Sequence, residues 1–515
     1  MGNTMQTISV LDILDETAAR LPDKIYLRDE EESLTFGQCR AQALHLGYAL
    51  HRELGGIREK PVILFMDKSC RCVVSMLGVL YSGSFYVPMD VKTPLERLES
   101  ILNTMEDAVV LTSVKDSEHL RKTGYTGQAL VYEELIKKWP AEGAEAALQV
   151  VRDSIIDTEL MYVLFTSGST GVPKGVAVMH RSVVDYIETT TEKIGVEEGD
   201  VHGNQTPFYS DVSLRDIYMP LKVGASVCLI PQRFFMSPKK LLQYLDDQQV
   251  TTLMWVPTAY RLVAQFDALE KVKPSNLKKL LFSGETMPVP VYRYWRKHYP
   301  DAKFTQLYGP TEITGVCTSY RVTRDYEDEE TIPIGQPLPN TGIILVNESG
   351  CVIAPSDTVS LGEICVYGTC LAAGYYNDPE KTAGAFVPNP VAKGCPSLMY
   401  RTGDLARYDK DGNLVFVSRK DYQVKHGGRR IELGEIETAF QAVDGVKAVC
   451  CVQDRREDKL VLYYIGKNSE RDLPLAVHSR LPKYMIPAVY HQMESLPLLP
   501  NGKLDRKQMD RWANE

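Results

Sequence analysis

The stretch Leu164-Phe165-Thr166-Ser167-Gly168-Ser169-Thr170-Gly171-Val172-Pro173-Lys174-Gly175 decides how the rest of this chain is interpreted. The apolar run Met161–Phe165 leads into six consecutive small or hydroxyl-bearing residues and then into Val-Pro-Lys-Gly. Small residues let backbone N–H groups approach an anion, hydroxyls add hydrogen-bond donors, and Lys174 adds positive charge. Neither Gly168 nor Gly171 is followed five residues later by Gly-Lys, so this is not a Walker loop. The stretch predicts a phosphate-binding loop after a buried strand.

Short apolar runs alternate with helical patterns on both sides of this loop. They are Val62–Met66, Ala108–Leu111, Met161–Phe165, Val227–Ile230, Thr252–Val256 and Lys279–Phe282. Continuous apolar runs of this length predict buried parallel strands in an α/β fold. Ligands bind beyond the carboxyl ends of such strands, so we expect the following loops to carry the chemistry.

The pattern changes after about Gly342, where short alternating strands and turns predict a β-rich subdomain. A charged stretch, Arg419-Lys420-Asp421, then precedes a compact segment with helix and strand patterns. We therefore expect a large core at residues 1–420, built of α/β subdomains and the β-rich one. Residues 421–515 would form a small, mobile α+β lid domain.

Composition excludes several classes of protein. The chain has 515 residues and a net charge of −9, so it lacks the excess of positive charge that is typical of proteins that bind nucleic acid. Its apolar runs are too short to span a bilayer, and its N-terminus does not look like a signal peptide. The 11 cysteines show no CxxC or zinc-site spacing, which is typical of free thiols in a reducing compartment. We expect a cytoplasmic protein.

Further motifs follow the loop in an order that resembles the adenylate-forming (ANL) superfamily. This group includes acyl-CoA synthetases, luciferases, adenylation domains of nonribosomal peptide synthetases and stand-alone D-alanine–carrier protein ligases. Besides the loop, the matching stretches are Tyr86–Asp90, Gln306–Glu312, Gly362–Ile364 with Gly374-Tyr375, Tyr400–Asp404, Arg419–Asp421 with Lys425–Glu437, and Asn501–Arg506. The resemblance covers nearly the whole chain and implies an acid–thiol ligase that uses ATP and Mg²⁺.

The resemblance also implies a nucleotide site. Its residues would be Thr166, Ser167, Gly168, Ser169, Thr170, Gly171, Lys174, Gly284, Glu285, Leu307, Tyr308, Gly309, Pro310, Thr311, Asp404, Arg419 and Lys503. Tyr308 offers an aromatic face for adenine, and Thr311 a hydroxyl for the α-phosphate. Asp404 has two acceptor oxygens for the ribose hydroxyls. Glu312 is a hard oxygen ligand suited to Mg²⁺, which proteins usually hold through one or two carboxylates and substrate phosphates.

Two lysines and a threonine are the predicted catalytic residues. A carboxylate attacking a phosphate brings two anions together, so a positioned cation is the largest available help. By resemblance, Lys503 supplies that cation during adenylation, Lys425 serves the thioester-forming step, and Thr166 belongs to the catalytic loop. The lid would swivel at Asp421, and the Gly427-Gly428 pair would let backbone approach a thiol-bearing arm.

Asp211 suggests an amino acid substrate. By resemblance, an Asp placed shortly before Gly224-Ala225 pairs with the α-ammonium group of an amino acid. The implied pocket consists of Asp211, Val212, Arg215, Thr258, Leu281, Ser283, Leu307, Gly315 and Val316, closed by Lys503. Several of these residues resemble pockets for serine or cysteine, whereas Arg215 would either cap a small pocket or pair with an acidic side chain. Serine, alanine, cysteine and an acidic amino acid all remain open.

No carrier-attachment motif follows Arg506, so we expect the acceptor thiol on the phosphopantetheine of a separate carrier protein. Two alternatives stand beside this interpretation. A CoA ligase for a fatty or aryl acid would not need Asp211. An inactive binding homologue would not need the charged catalytic positions, which are all present.

Overall fold

The computed structural model describes residues 7–168, 172–420, 423–497 and 504–515. Its α-helices are α1 (Val10–Arg20), α2 (Phe36–Glu53), α3 (Cys70–Tyr81), α4 (Leu95–Thr104), α5 (Val114–Lys122), α6 (Tyr132–Lys138), α7 (Ala144–Ser154), α8 (His180–Ile194), α9 (Val212–Val223), α10 (Pro238–Asp247), α11 (Pro257–Gln265), α12 (Val289–His298), α13 (Pro379–Ala385), α14 (Leu433–Gln441), α15 (Asp472–Ala476) and α16 (Arg506–Asn514). Short 3₁₀ helices lie at Gln232–Met236, Ala268–Glu270, Thr311–Ile313 and Lys483–Met485. None of the described helices combines the length and apolar character needed to cross a membrane.

The strands supply five sheets within the described ranges. They are β1 (Ile25–Arg28), β2 (Ser33–Thr35), β3 (Pro61–Phe65), β4 (Phe85–Met89), β5 (Val109–Thr112), β6 (Ala129–Val131), β7 (Leu160–Thr166), β8 (Lys174–Met179), β9 (Val201–Asn204), β10 (Ser226–Leu229), β11 (Thr252–Trp255), β12 (Lys279–Phe282), β13 (Lys303–Tyr308), β14 (Thr318–Val322), β15 (Gln336–Pro337), β16 (Thr341–Val346), β17 (Val352–Ile353), β18 (Gly362–Gly368), β19 (Gly374–Tyr375), β20 (Phe386–Pro388), β21 (Leu398–Tyr408), β22 (Leu414–Arg419), β23 (Gln423–His426), β24 (Arg429–Glu432), β25 (Val446–Asp454), β26 (Lys459–Gly466) and β27 (Val489–Gln492).

Two large sheets with parallel centres carry the body of the protein. One runs β19-β8-β7-β4-β3-β5-β6, and the other runs β15-β14-β13-β12-β11-β9-β10-β1-β2. Strands β7, β4, β3 and β5 are parallel neighbours, as are β11, β12 and β13. Each predicted strand is present with its bounds shifted by at most one residue at either end. The α/β fold predicted from the apolar runs is therefore confirmed.

Smaller sheets follow the two large ones along the chain. The sheet β17-β16-β18-β21-β20, with β22 beside β21, covers the part of the sequence predicted to be β-rich. Beyond it lie the hairpin β23-β24 and the sheet β25-β26-β27, which α14 and α16 cover. Residues such as Ile431, Phe440 and Leu462 form a separate apolar cluster there. This second core gives the C-terminal segment, hereafter the lid, its own packing.

Local sequence explains where the loop after β7 begins. Strand β7 is buried through Leu164 and leads into Ser167 and Gly168 at its carboxyl end. A side chain at position 168 would place its Cβ only 1.9 Å from the carbonyl oxygen of Val172. Glycine is needed at this position because the chain approaches itself too closely for any other residue.

A buried polar network holds helix α9 against the second large sheet. The Asp216 carboxylate accepts a hydrogen bond from Asn204 Nδ2 at 3.0 Å, and Lys68 Nζ donates to the carbonyl oxygens of Asn204 and Gln205, both at 3.2 Å. Burial raises the pKa of Asp216 to about 7 and lowers the pKa of Lys68 to about 8. The network fixes the helix that begins directly after Asp211.

We expect Leu462→Ala to destabilise the lid. Leu462 is fully buried in the lid core, and removing a buried leucine side chain costs about 2–5 kcal/mol. Leu475→Ala is the matched control, because that side chain is 74% exposed in the same domain. Urea unfolding should show a lower free energy of unfolding for Leu462→Ala and not for Leu475→Ala. Equal decreases in both variants would contradict the described packing.

The Asp216 network makes a prediction about pH. The folded-state pKa is about 7, far above the ordinary value of about 3.9. Between these values the folded protein keeps a proton that the unfolded chain has released, so this group lowers the free energy of unfolding as pH rises from 4 to 7. Asp216→Asn removes that dependence. Urea unfolding at several pH values should therefore show that the free energy of unfolding of the variant rises relative to that of the wild type between pH 4 and pH 7. Parallel profiles of the two proteins would contradict the burial of the carboxylate.

Candidate functional site

Eight of the predicted site residues lie together where the body meets the lid: Thr258, Gly284, Glu285, Leu307, Tyr308, Asp404, Arg419 and Lys425. A cavity of about 860 Å³ lies there, a volume typical of small-molecule sites. Its body wall includes Gly284, Glu285, Leu307, Tyr308, Asp404 and Arg419, and Lys425 belongs to its lid wall. Five predicted residues, Ser169, Thr170, Gly171, Asp421 and Lys503, lie outside the described residues.

Tyr308, Asp404 and Arg419 form one hydrogen-bonded unit. The Tyr308 hydroxyl donates to Asp404 Oδ2 at 2.5 Å, and Arg419 Nη1 donates to Asp404 Oδ1 at 2.6 Å. Strand pairing explains the second contact, because Asp404 on β21 lies opposite Arg419 on β22. Burial and the nearby Asp404 charge raise the pKa of the Tyr308 phenol. The unit sets a rigid aromatic ring beside a carboxylate, as recognition of a nucleoside would require.

The loop after β7 offers donors for an anion. The Thr166 hydroxyl is buried and has no hydrogen-bond partner among the described residues. Lys174, at the start of β8, is close to the carboxylate of Glu312, with Nζ 3.4 Å from Oε1. A buried hydroxyl without a partner is unfavourable unless a ligand supplies one. The chemistry of this loop therefore fits a phosphate group.

Glu312 is fully buried and surrounded by donors. Its Oε2 accepts a hydrogen bond from Arg430 Nη1 at 2.7 Å, and its Oε1 accepts one from the Tyr375 hydroxyl at 2.9 Å. Burial acts to raise the pKa of Glu312, but the positive charges of Arg430 and Lys174 outweigh it and hold that pKa well below its usual range. A carboxylate in this position is a suitable oxygen ligand for Mg²⁺. It could bind the ion only in an arrangement in which Arg430 does not contact its oxygens.

Lys425 extends from β23 of the lid into the body. Burial lowers the pKa of its ammonium group, an effect that the charges of Asp404 and Asp211 oppose. The lysine is thus within electrostatic reach of both carboxylates. The charges of Asp404 and of Asp211, at the start of α9, therefore both act on this one lysine of the lid.

Asp211 and the residues around it form the predicted substrate pocket. The Thr311 hydroxyl donates to the Asp211 carboxylate, and a side chain at position 315 would place its Cβ 3.7 Å from Asp211 Oδ2. Burial raises the pKa of Asp211, while the charges of Arg215 and Lys425 oppose that rise. Five other predicted pocket residues are buried in the body: Val212, Leu281, Ser283, Leu307 and Val316.

The remaining predicted residues lie on the same edge of the sheet. Glu285 Oε2 accepts hydrogen bonds from the backbone and the hydroxyl of Thr258 at 2.9 and 2.7 Å. Gly309 and Pro310 connect β13 to the 3₁₀ turn that carries Thr311. The nucleotide-site and pocket residues described here therefore meet in one region, at the carboxyl ends of β7, β12 and β13.

Three residues that hold the lid against the body were not among the predicted site residues: Arg97, Arg430 and Glu435. Ser167 Oγ donates to the carbonyl oxygen of Arg430 at 2.9 Å, and the Gly168 amide donates to Glu435 Oε2 at 3.2 Å. Arg97 forms a buried ion pair with Glu435. Arg430 and Glu435 lie inside the motif Lys425–Glu437, so their positions were visible in the sequence although their partners were not.

The glycine pair of the lid approaches the body closely. Gly428 donates its amide hydrogen to Glu285 Oε1 at 2.7 Å, and a Cβ at this position would lie 2.7 Å from Val256 Cγ1. Beside it, His426 Nδ1 is 3.1 Å from Asp458 Oδ1 and the side chain is partly exposed. These contacts join the lid to the body, and the expected approach of Gly427-Gly428 to a thiol-bearing arm stays a prediction.

Comparison with known proteins gives consistent results. The chain is 31% identical over 517 residues to tyrocidine synthase 1 of Brevibacillus parabrevis, covering 98% of this chain and 45% of that protein. The chain spans less than half the length of each curated relative considered. Among solved structures, an NRPS protein containing adenylation and PCP domains, bound to a vinylsulfonamide inhibitor, superposes with a TM-score of 0.83 at 26% identity, covering 98% of this chain and 84% of that one.

The fold is also that of the Vibrio cholerae adenylation domain AlmE, solved with glycyl-adenosine-5'-phosphate. That structure superposes with a TM-score of 0.85 at 22% identity and covers 99% of each chain. The family described as AMP-binding enzyme matches residues 14–376. Since that match spans well over half of the chain, this protein belongs to the family of AMP-binding enzymes, which are adenylate-forming ligases.

Proposed function

We propose that this enzyme activates an amino acid with ATP and transfers it to the phosphopantetheine thiol of a carrier protein. In the first step a carboxylate oxygen of the amino acid bonds to the α-phosphorus, and pyrophosphate leaves. In the second step the thiol sulfur bonds to the acyl carbon, and AMP leaves. The likeness to peptide synthases and to an NRPS protein with a PCP domain supports this choice.

The position of Lys425 is the observation that carries the proposal. It lines the same cavity as Tyr308, Asp404 and Arg419, and the charges of Asp404 and Asp211 oppose the lowering of its pKa by burial. In our proposal Asp404 binds the ribose and Asp211 binds the α-ammonium group of the amino acid. An aminoacyl-adenylate would then extend between these two carboxylates, with the lysine near its reactive centre, where charge develops in the second step.

The nucleotide would use the unit formed by Tyr308, Asp404 and Arg419. Adenine would stack on the Tyr308 ring and the ribose hydroxyls would donate to Asp404. The Thr166 hydroxyl, which has no described partner, would bind a phosphate oxygen during adenylation. Mg²⁺ would be held by Glu312 and substrate phosphates and would neutralise phosphate charge there. Lys503 stays a prediction as the cation of this first step.

The described arrangement of the lid suits the second step. Arg430 of the lid donates a hydrogen bond to Glu312. Ser167 and Gly168 donate hydrogen bonds to Arg430 and Glu435 of the lid. These are groups that the first step would need for the metal and the phosphates. We therefore propose that residues 421–515 move as a unit about Asp421 between the two steps. The expectation that the carrier is a separate protein also stays a prediction.

Exchange of pyrophosphate into ATP tests the proposal directly. A panel of amino acids, fatty acids and aryl acids should give exchange with at least one amino acid. Exchange only with fatty or aryl acids would favour a CoA ligase instead. Silence across the whole panel would contradict adenylate formation itself.

The two lysines should separate the half-reactions. We expect Lys503→Ala to lower adenylate formation by about 10²–10³-fold, the usual effect of losing an electrostatic stabiliser, and to spare thioester formation. Lys425→Ala should do the reverse. Pyrophosphate exchange measures the first reaction, and transfer from synthetic aminoacyl-adenylate to pantetheine measures the second. Lys447→Ala, an exposed lysine of the lid, is the matched control, and equal losses of both reactions in both variants would contradict alternation.

Asp211→Asn should remove discrimination for the α-ammonium group. The best amino acid should exceed its analogue lacking the α-amine in the wild type, and the variant should lose about 10²-fold or more of that preference, as expected for a partly buried charge pair. Pyrophosphate exchange with both compounds gives the ratio. Asp247→Asn, an exposed aspartate at the end of α10, should leave the ratio unchanged. An unchanged ratio in Asp211→Asn would exclude the proposed role.

A further inference from the structure

Arg215 is a buried cation in the proposed substrate pocket. It follows Asp211 by four residues at the start of α9, a spacing that places both on one face of the helix. Its side chain is only 2% exposed. An arginine cannot escape burial by losing its proton, so its positive charge must be balanced locally.

The described residues do not fully balance the positive charge of Arg215. Arg215 Nη2 donates to Ser283 Oγ at 2.7 Å, while its Nε is buried and has no hydrogen-bond partner. Within the described ranges, no carboxylate lies within ion-pair distance of the guanidinium. The planar donor fork of an arginine is suited to gripping a carboxylate with two parallel hydrogen bonds.

Two acidic groups interact with Arg215 through their charges, and each has another hydrogen-bond donor or another proposed role. The Asp216 carboxylate accepts a hydrogen bond from Asn204, and burial raises its pKa. Asp211 interacts with Arg215 through its charge, but the proposed function assigns it to the α-ammonium group. A ligand is therefore the expected partner of the guanidinium.

The rest of the pocket would strengthen such a contact. Val212, Leu281 and Leu307 of the predicted pocket are buried apolar side chains, which would exclude water from an ion pair beside them. Ser283, which directly follows β12 and already accepts a hydrogen bond from the guanidinium, would add a hydroxyl. An apolar wall with one cation and one hydroxyl is the composition of a carboxylate subsite.

We propose that the enzyme selects an amino acid with a carboxylate side chain, which Arg215 binds. The inference rests on the proposed function and narrows its substrate. It favours an acidic amino acid over the serine, alanine and cysteine that the sequence left open. Arg215 is then the residue that determines specificity.

Matched pairs of substrates provide the test. Pyrophosphate exchange should be measured with aspartate and asparagine, with glutamate and glutamine, and with serine, alanine and cysteine. Each pair differs in side-chain charge at nearly constant shape. We expect one acid to exceed its amide by about 10²-fold in kcat/KM, the scale of a truncated buried charge pair. Sulfamoyl analogues of the two acyl-adenylates should show the same ratio of affinities by calorimetry.

Variants at position 215 assign the preference to the guanidinium. Arg215→Met keeps the length of the side chain and removes its charge, so the ratio of acid to amide should fall towards one. Arg215→Lys should retain part of the preference, and Arg181→Met, an exposed arginine of α8, should retain all of it. If Arg215→Met does not fold, the wild-type ratios and the analogue affinities decide the question.

The outcomes distinguish the two proposals. Exchange with no amino acid of the complete panel would overturn the proposed function. Exchange that favours a neutral amino acid, or an acid preference that survives Arg215→Met, would overturn the role of Arg215 and leave amino acid activation standing.

Discussion

The ion pair between Glu312 and Arg430 is the contact on which the described arrangement depends. Glu312 is fully buried in the body and Arg430 comes from the lid. Separating the pair would remove one of the two cations beside the buried carboxylate and leave it with Lys174 of the body, 3.4 Å away, which is unfavourable in the interior. In the described arrangement the pair holds the lid against the body, and Lys425 of β23 lines the same cavity as Asp404.

Around this pair the interface is polar, and its parts reinforce one another. Ser167 donates to the lid backbone through its hydroxyl and accepts from the Glu432 amide at 3.0 Å. Arg429 Nη2 donates to the Tyr209 hydroxyl at 3.0 Å, and Arg97 meets Glu435 in a buried ion pair. Interfaces within a chain that are rich in polar contacts resemble transient ones more than they resemble a core. Such an interface is well suited to forming and dissolving in each catalytic cycle.

The sequence allowed the fold to be predicted because strand and loop signals are local. The run before Thr166 and the glycine at 168 are recognisable without any knowledge of distant residues. The partners of Glu312 were beyond such reasoning, since Arg430 lies 118 residues away and two charged residues carry no sign of pairing. The substrate pocket could be predicted only in part. The spacing in the sequence identified Asp211 as a candidate, whereas the surroundings of Arg215 depend on how helix α9 lies relative to β12. The roles assigned to Ser169, Asp421 and Lys503 stay predictions.

The hydrogen bonds of Ser167 and Gly168 have a consequence for the order of events. Both groups lie in the loop suited to anions, yet in the described arrangement the hydroxyl and the amide already serve Arg430, Glu432 and Glu435. An anion therefore cannot bind the Ser167 hydroxyl and the Gly168 amide while the lid contacts them. If residues 421–515 move as proposed, inorganic pyrophosphate or phosphate at sufficient concentration would favour the arrangement in which the lid has left these donors. The lid and an anion would then compete for the same hydrogen-bond donors.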